Sequence, residues 1–468
     1  MRVKIFASNT YNSPILKMLF VQTLLAFIIV IGILVTVHEF GHYWVAQRLG
    51  VKILRFSVGF GQALWKKNFG KDNAEFVIAA IPLGGYVKML DEREGEVPQD
   101  ELHRAFNRQS LKVRAAIVFA GPLFNFLFAI IVYTLMYMVG ITGMKAFVGE
   151  VTPDSLADQA GFQTGYQIIA VNEQQTVRWD NVIQATLQEL LDDNESIVYS
   201  VQNREGTQSD LTLNLQGMSL DDIAEGQFFE KFGFKPFRPS PPAIIGNIMP
   251  DSAAERAGLK PGDKIIALDD QTISDWNTWA EYVVQHPEQE ISAVIERNHE
   301  RFNLTLIPDN IEGKGRMGVY SPRSYTIPDE YKGTVRYGLG DAFIQGIVKT
   351  WDISVLTLRV MVKMLTWQIS YEHISGPISI AQFAGQSVQL GFDVFLSFLG
   401  LISVSLGVLN LLPIPLLDGG HLLMYLIEWI KGNPVTEKTE YFLQRIGLAL
   451  LLCLMTLAIY NDLERLLR

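Results

Sequence analysis

Long apolar stretches separated by polar segments are the first feature of this sequence. They run from about Ile15 to Val45, from Val113 to Val139, from Val394 to Leu417 with a continuation to Ile430, and from Ile446 to Tyr460. Each approaches or exceeds the roughly 20 residues that a helix needs to cross the hydrocarbon core. The first is too long for a signal peptide and lacks a convincing cleavage site. The pattern therefore predicts a polytopic α-helical membrane protein with four transmembrane helices, two in residues 18–140 and two in residues 392–468.

A fifth apolar segment, from Ala342 to Leu365, is interrupted by charged residues. They are Lys349, Asp352, Arg359 and Lys363. Each charge at mid-bilayer would cost about 2.5–3.5 kcal/mol. The segment is more typical of an amphipathic helix on the membrane surface, which we predict for residues 330–390.

The overall composition supports a membrane protein and excludes several other classes. Hydrophobic residues make up 49% of the chain and charged residues 19%, which is too apolar for an ordinary soluble enzyme. The net charge of −10 argues against nucleic acid as a partner, because phosphate binding needs a basic surface. The single cysteine, Cys453, excludes an internal disulfide and a cysteine-rich zinc site, so a metal must use His and carboxylate ligands.

Basic residues are concentrated in the loop between the first two apolar stretches. They are Arg48, Lys52, Arg55, Lys66, Lys67, Lys71, Lys88, Lys112 and Arg114. The positive-inside rule places this loop in the cytoplasm. The residues from about Lys145 to Phe392 and both termini are then predicted to lie outside, although Arg465 and Arg468 weakly oppose this.

The segment between the second and third stretches contains an internal repeat. Ser155–Gly161 matches Ser252–Gly258, and Ile168–Asn172 matches Ile265–Asp269 at the same offset. A constant offset over separate blocks indicates a duplicated domain. We predict the two copies over residues 145–235 and 240–310.

The second copy reads Ala-Gly-Leu-Lys-Pro-Gly-Asp-Lys-Ile-Ile at residues 257–266. This resembles the PDZ domain family, in the version common in bacterial proteases. The resemblance implies two extracytoplasmic PDZ-like α+β domains, with peptide-binding amides near Val148-Gly149 and Ile245-Gly246. The first copy is divergent, since Gly165-Tyr166 replaces Gly262-Asp263. A pair of spacer domains without peptide affinity is the alternative, because a fold alone does not show binding.

His38-Glu39-Phe40-Gly41-His42 is a His-Glu-x-x-His motif inside the first apolar stretch. Residues four apart share one face of a helix, so both imidazoles can hold one Zn²⁺ with Glu39 beside a water molecule. Polar side chains are costly in such a segment and indicate a functional site. The alternative is a helix-end cap near the membrane surface, which the continuing span Tyr43–Val45 disfavours.

A catalytic zinc site needs a third protein ligand and leaves the fourth position to water. Asp72 and Glu75 are candidates by spacing alone. Asp418 is favoured, because a carboxylate inside the third apolar stretch must be paired or bind a metal. His421 is the alternative third ligand. Beside a Gly-Gly turn, a structural role or a hydrogen bond that supports one of the ligands is more typical.

The depth of the candidate ligands in the membrane agrees with this choice. Counted from the basic residues that follow, His42 lies about 9 Å and Asp418 about 20 Å from the cytoplasmic boundary, or less if Gly419 and Gly420 interrupt the helix. The ligands are therefore predicted to meet in the cytoplasmic half of the membrane.

These motifs together resemble the site-2 protease family of intramembrane zinc metalloproteases. The resemblance rests on His38–His42, Asn410–Gly420, the paired PDZ-like domains, Ser57–Gly61, Ile81–Met89 and Ser375–Ser379. It covers nearly the whole chain after Met18, and residues 1–17 are an N-terminal extension. It implies Zn²⁺ as the cofactor and Glu39 as the general base.

The resemblance also implies substrate contacts. Asn410 is expected to contact the substrate or the oxyanion, or alternatively to satisfy helix backbone near Pro413. The β-prone pieces around Gly59-Phe60-Gly61 and Phe76–Val87 predict a membrane-associated β-hairpin whose edge adds the substrate as a strand. The glycines expected to bind substrate are Gly59, Gly61, Gly84 and Gly85.

The implied substrate is a single-pass membrane protein of the anti-sigma-factor type, already trimmed on its outer side; remnant signal peptides are a second class. The implied location is the bacterial inner membrane, in contact with lipid, with the PDZ pair in the periplasm as a size filter. A non-catalytic PDZ membrane scaffold is the alternative function, and it predicts no bound metal.

Overall fold

The computed structural model describes residues 14–70, 72–192, 194–215, 227–322 and 327–467. The helices are α1 (Pro14–Arg48), α2 (Leu111–Val139), α3 (Leu156–Ala160), α4 (Trp179–Leu191), α5 (Phe228–Phe232), α6 (Ala253–Arg256), α7 (Trp276–Gln285), α8 (Leu339–Leu365), α9 (Pro377–Leu390), α10 (Phe392–Leu411), α11 (Asp418–Lys431) and α12 (Glu437–Leu467). The strands are β1 (Ile53–Phe69), β2 (Ala74–Met89), β3 (Ile141–Met144), β4 (Val148–Val151), β5 (Gln167–Val171), β6 (Gln174–Gln175), β7 (Ser196–Gln202), β8 (Gln208–Asn214), β9 (Phe234–Pro236), β10 (Asn247–Ile248), β11 (Lys264–Leu268), β12 (Gln271–Thr272), β13 (Ile291–Arg297), β14 (Glu300–Leu306), β15 (Asp309–Ile311), β16 (Lys314–Arg316), β17 (Val319–Tyr320) and β18 (Lys332–Val335).

Four of the described helices are long and apolar enough to cross a membrane. They cover Val21–Arg48, Leu111–Val139, Phe392–Leu411 and Lys438–Leu467. This confirms the four membrane-length helices predicted from the apolar stretches. Of the predicted N-terminal extension, residues 1–13 lie outside the described residues, and residues 14–17 belong to α1.

Glycines allow the membrane-length helices to pack at short range. A Cβ atom on Gly41 of α1 would lie 2.4 Å from the Ala120 carbonyl oxygen of α2. A Cβ on Gly400 of α10 would lie 2.6 Å from the Tyr133 ring of α2. In a membrane, helices associate through such close packing because lipid provides no hydrophobic driving force. Helix α2 is therefore in contact with both α1 and α10.

The third apolar stretch does not form one continuous helix. Helix α10 ends at Leu411, the chain turns through residues 412–417, and α11 begins at Asp418. The interruption considered at Gly419-Gly420 lies earlier in the chain, because both glycines belong to the first turn of α11. Pro413 and Pro415 lack the backbone N–H that a helix requires, so the break falls before Asp418.

Gly419 and Gly420 have a packing role instead. A Cβ on Gly419 would lie 2.2 Å from the carbonyl oxygen of Leu412, and one on Gly420 would lie 2.4 Å from that of Ile414. The start of α11 therefore folds directly onto the preceding turn, which only glycine permits.

Strands β1 and β2 fold into a bent sheet in the loop between α1 and α2. Residues near Ser57 pair on one side with residues near Tyr86 and on the other with residues near Val77. The second half of β1 pairs with the first half of β2. The outermost segment next to α1 is therefore the end of β2, residues 85–89.

The repeat found in the sequence forms two units with the same strand order. The first unit has the sheet β6-β5-β7-β8 and the second has β12-β11-β13-β14. Each has its own hydrophobic core, in which Ile168 and Ile265 occupy matching positions. The strands of the second unit continue past residue 310 to β17.

Both units are inserted between two paired strands. Strands β3 and β18 are antiparallel neighbours, with Met144 opposite Lys332. The Lys145 N–H donates to the Tyr331 carbonyl at 2.9 Å, so the two ends of the insertion meet.

The amides expected to bind peptide near Val148-Gly149 and Ile245-Gly246 are not free. The Val148 N–H donates to the Tyr166 carbonyl at 2.7 Å, and the Gly246 N–H donates to that of Tyr320 at 2.8 Å. Strands β4 and β10 are covered by β9 and β17. Because these two N–H groups already have partners, Val148 and Gly246 do not offer them to a peptide in this structure.

Helix α8 is the charged apolar segment of the sequence, and it bridges α2 and the first unit. A Cβ on Gly346 would lie 2.8 Å from the Ile130 carbonyl of α2, so the two helices are in direct contact. Farther along α8, Leu356 and Val360 pack against the core of the first unit. Its position at the membrane surface remains a prediction.

A carboxylate from α12 caps the start of α9. The buried Asp462 side chain accepts hydrogen bonds from the backbone N–H groups of Gly376, Ile378 and Ser379 at 2.9–3.1 Å. The first N–H groups of a helix lack intrahelical partners, so this contact stabilises α9 and attaches it to α12.

Replacing Asp462 with Ala should loosen this connection. Each buried N–H left without an acceptor costs about 1–3 kcal/mol, so the amides of Gly376, Ile378 and Ser379 should exchange hydrogen faster. Hydrogen exchange read by mass spectrometry measures this. Leu463→Ala is the matched control, because Leu463 is 48% exposed. Unchanged exchange in Asp462→Ala would contradict the capping role.

Candidate metal centre

His38, His42 and Asp418 come together between α1 and α11. The two histidine Nε2 atoms are 3.3 Å apart. The Asp418 Oδ2 atom lies 3.2 Å from His38 Nε2 and 3.5 Å from His42 Nε2. Among the described residues, this is the group of three whose ligand atoms could hold one metal ion.

The geometry of the three atoms fits zinc. A tetrahedral zinc ion with ligand distances of about 2.0–2.1 Å separates its ligand atoms by about 3.3–3.4 Å. The observed separations of 3.2, 3.3 and 3.5 Å bracket that value. The buried Asp418 Oδ2 also has no hydrogen-bond partner among the described residues, as expected of an oxygen that faces a cation.

The broken helix explains how Asp418 reaches the histidines. Asp418 is the first residue of α11, where the helix dipole favours a negative charge. A salt bridge also holds α11 against α2: Arg114 of α2 pairs with Glu428 of α11 at 2.6 Å. The Arg114 guanidinium also lies over the Tyr425 ring, 4.9 Å from its centroid.

Helix α2 contacts both imidazoles, which the sequence reasoning missed. His42 Nδ1 lies 2.8 Å from the Ile117 carbonyl oxygen. A Cβ on Gly121 would lie 2.4 Å from His42 Nε2 and 2.8 Å from His38 Cε1. Asn125 lies 3.1 Å from His38 Nδ1. Positions 117, 121 and 125 are four apart and so share one face of the helix.

The sequence does contain a signal that α2 contributes to the site, namely a polar residue within the second apolar stretch. Asn125 is the kind of intramembrane polar side chain that indicates a functional site. Gly121-Pro122 precedes it in the sequence and also departs from a plain membrane span.

Glu39 lies beside the three candidate ligands and contacts the end of β2. Its carboxylate faces the backbone of Val87. A Cβ on Gly85 would lie 3.1 Å from Glu39 Cγ, so glycine at this position allows the strand to approach. The sheet therefore orients the predicted general base.

A cavity of about 260 Å³ opens onto this group. Its lining includes Glu39, His42, Asp418, His421, Val87, Met89, Arg93 and Tyr425. The cavity is large enough for a short extended segment of polypeptide backbone at the metal group.

The other predicted ligands are placed elsewhere. Asp72 is paired with Arg104 through two hydrogen bonds, which hold the pKa of its carboxyl below the usual range. Glu75 accepts a hydrogen bond from Arg55 at 2.8 Å. His421 lines the cavity but does not belong to the three-residue group.

The predicted substrate-contact residues fall into two sets. Gly59, Gly61 and Gly84 have φ of 93°, 86° and 115°, so they form the bends of the sheet. Gly85 approaches Glu39, as described above. Asn410 is half-buried in the last turn of α10 and is not among the described residues that line the cavity.

A His-Glu-x-x-His motif on one of four membrane-length helices, with a carboxylate placed beside both imidazoles, defines a membrane-bound metallopeptidase. The model of Peptidase family M50 matches residues 26–454. The chain belongs to this family, the site-2 protease family, and is a zinc metalloendopeptidase. Membership of a peptidase family rejects the non-catalytic scaffold considered above.

Full-length relatives agree with this assignment. The chain is 42% identical over 451 residues to the regulator of sigma-E protease RseP of Escherichia coli (strain K12), covering 96% of this chain and 99% of that protein. It is 42% identical to a putative zinc metalloprotease of Vibrio cholerae, covering 94% of this chain and 98% of that protein. It is 41% identical to the putative zinc metalloprotease NMA0084 of Neisseria meningitidis, covering 95% and 100%.

Replacing Gly121 with Ala should displace the imidazoles. The added methyl group would overlap the His42 ring, so we expect weaker zinc binding and loss of peptidase activity. Zinc content and cleavage of a membrane substrate by the purified protein measure both. Gly32→Ala in α1 is the control, because nothing lies within 4 Å of its added Cβ. Parental zinc content in Gly121→Ala would contradict the packing described here.

Proposed function

We propose that this protein is an intramembrane zinc endopeptidase that cleaves single-pass membrane proteins within or beside their transmembrane segment. His38, His42 and Asp418 would be the zinc ligands and Glu39 the general base. The observation that carries the proposal is that His38 and His42 of a membrane-length helix meet Asp418, the first residue of α11, with Glu39 beside them. A hydrolytic site at this depth can reach a peptide bond that a membrane encloses.

The chemistry follows from the positions of the side chains. When bound, zinc lowers the pKa of a water molecule towards about 7 and polarises the scissile carbonyl. Glu39 accepts the proton of the attacking water and passes it to the leaving amine. Its contact with the Val87 backbone orients the carboxylate for both transfers.

The end of β2 is the proposed binding edge for substrate. Tyr86–Lys88 pairs with β1 on one side, while Val87 and Met89 line the cavity on the other. A substrate added there as a strand would lose its helical hydrogen bonds and expose one peptide bond to the site. Gly85 keeps this edge close to Glu39, whereas Gly59, Gly61 and Gly84 shape the sheet.

Asn410 remains a proposed substrate or oxyanion contact. It lies at the end of α10, directly before the turn that leads to Asp418. A substrate entering from that side would meet its carboxamide. The alternative is that it satisfies backbone groups near the break at Pro413.

The name of the Escherichia coli relative favours a role in sigma-E regulation. We therefore propose an anti-sigma-factor-type substrate, cut after its outer domain has been trimmed, with remnant signal peptides as a second class. The protein would lie in a bacterial inner membrane in contact with lipid. The basic loop between α1 and α2 would face the cytoplasm, and the site would lie in the cytoplasmic half of the membrane.

The two repeat units are proposed to be periplasmic PDZ-like domains that control access. They lie between β3 and β18, beyond the end of α2, and so on the opposite side from the basic loop. They would restrict the approach of large substrates and would not contact the scissile bond. Drift of the first copy at Gly165-Tyr166 favours this role over peptide capture by both units.

Glu39→Gln should separate catalysis from metal binding. The amide cannot accept the proton, so turnover should fall by about 10²–10⁴-fold while zinc content stays at the parental value. Asp418→Ala should lose zinc as well as activity. Metal analysis and a cleavage assay on the purified proteins measure these outcomes. Asp72→Ala is the control acid and should keep both. Appreciable turnover by Glu39→Gln would reject the general-base role.

Excising residues 146–330 should test the access role. The ends of this insertion meet at Lys145 and Tyr331, so a short linker can rejoin them. We expect trimmed substrate to be cleaved as before and untrimmed substrate to be cleaved faster. Comparing both rates in reconstituted membranes measures this. Slower cleavage of the trimmed substrate would indicate recruitment instead, and no gain on the untrimmed substrate would refute the size filter.

A further inference from the structure

Asn125 is a fully buried polar residue in the membrane-length helix α2. Its side chain is 0% exposed. The Nδ2 atom of its carboxamide lies 3.1 Å from Nδ1 of His38. A polar side chain in such a segment is costly unless it has a specific partner, so the contact with His38 requires a functional explanation.

Helix packing does not account for this carboxamide. The carboxamide oxygen, Oδ1, has no hydrogen-bond partner among the described residues. Ser403 of α10 does bind Asn125, but through the backbone carbonyl oxygen at 2.8 Å, which any residue would provide. The contact that is specific to asparagine here is therefore the one with the His38 ring.

The tautomer that a metal-binding histidine adopts decides which of the two side chains donates the hydrogen bond. His38 faces His42 and Asp418 with Nε2, so Nδ1 must carry the proton when Nε2 binds a metal. A protonated Nδ1 needs an acceptor. Rotating the carboxamide by 180° exchanges its oxygen and nitrogen without moving the side chain, and places Oδ1 at Nδ1.

His42 provides an independent parallel. Its Nδ1 lies 2.8 Å from the Ile117 carbonyl oxygen, a group that can only accept a hydrogen bond. That contact fixes the proton of His42 on Nδ1 and leaves Nε2 free for the metal. Ile117 and Asn125 lie on the same face of α2, two turns apart, on either side of Gly121.

We propose that Asn125 is a positioning residue that accepts the Nδ1 proton of His38, and so fixes the orientation and tautomer of this ligand. The inference rests on the proposed role of His38 in binding zinc. With Ile117 it makes α2 the element behind both imidazoles. Such partners typically change metal affinity by 10–100-fold.

The test measures zinc affinity in the full-length protein by competition with a chelator. Asn125→Leu has a similar size but no acceptor, and its zinc dissociation constant should rise by about 10–100-fold. Asn125→Asp retains an acceptor oxygen and should bind zinc about as tightly as the parent. The visible absorption spectrum of cobalt-substituted protein should change in Asn125→Leu and be restored in Asn125→Asp.

Two further variants separate the possible failures. Ser403→Ala removes a contact to the same residue that does not involve His38, and it should leave zinc affinity unchanged. His38→Ala should lose zinc, and if it does not, the proposed ligand set fails. If His38→Ala loses zinc while Asn125→Leu keeps parental affinity, only the role of Asn125 is overturned. Equal losses in Asn125→Leu and Asn125→Asp would also overturn it, because packing alone would explain them.

Discussion

Two imidazoles and a carboxylate must meet between apolar helices, and much of the structure depends on this requirement. Polar groups at such a place are stable only when each has a partner. Helix α2 approaches α1 closely enough to provide partners on its side because Gly41 and Gly121 leave room. The Ile117 carbonyl and the Asn125 side chain then lie behind the two rings, so this contact between helices is also the foundation of the metal centre.

The position of Asp418, the proposed third ligand, depends on a break in a helix. A continuous helix through the third apolar stretch would carry Asp418 past the histidines along its axis. The prolines at 413 and 415 end α10, and Gly419 allows α11 to fold back against the turn. Asp418 thereby becomes the first residue of a new helix, where its charge is favourable and its carboxylate faces both Nε2 atoms.

Among the described residues, the parts outside the helix bundle are attached through paired strands, helix α8 and the sheet of β1 and β2. Strands β3 and β18 carry the whole two-unit insertion, and α8 packs between α2 and the first unit. On the other side of the bundle, the sheet of β1 and β2 reaches Glu39 through the Val87 backbone. Glu39 is thus close to the end of β2, whereas the inserted units follow β3, beyond the end of α2.

The sequence by itself determined the four membrane-length helices, the His-Glu-x-x-His pair and the choice of Asp418. These features depend on hydropathy, on helical spacing and on the cost of a buried carboxylate, all of which are local. It also revealed the duplication through matching blocks. The tertiary structure decided that the helix breaks before Asp418, that the strands at Gly149 and Gly246 are already paired, and that α2 supports both histidines. Each of these depends on contacts between segments far apart in the chain, and neither hydropathy nor spacing encodes which backbone group will lie against a given side chain.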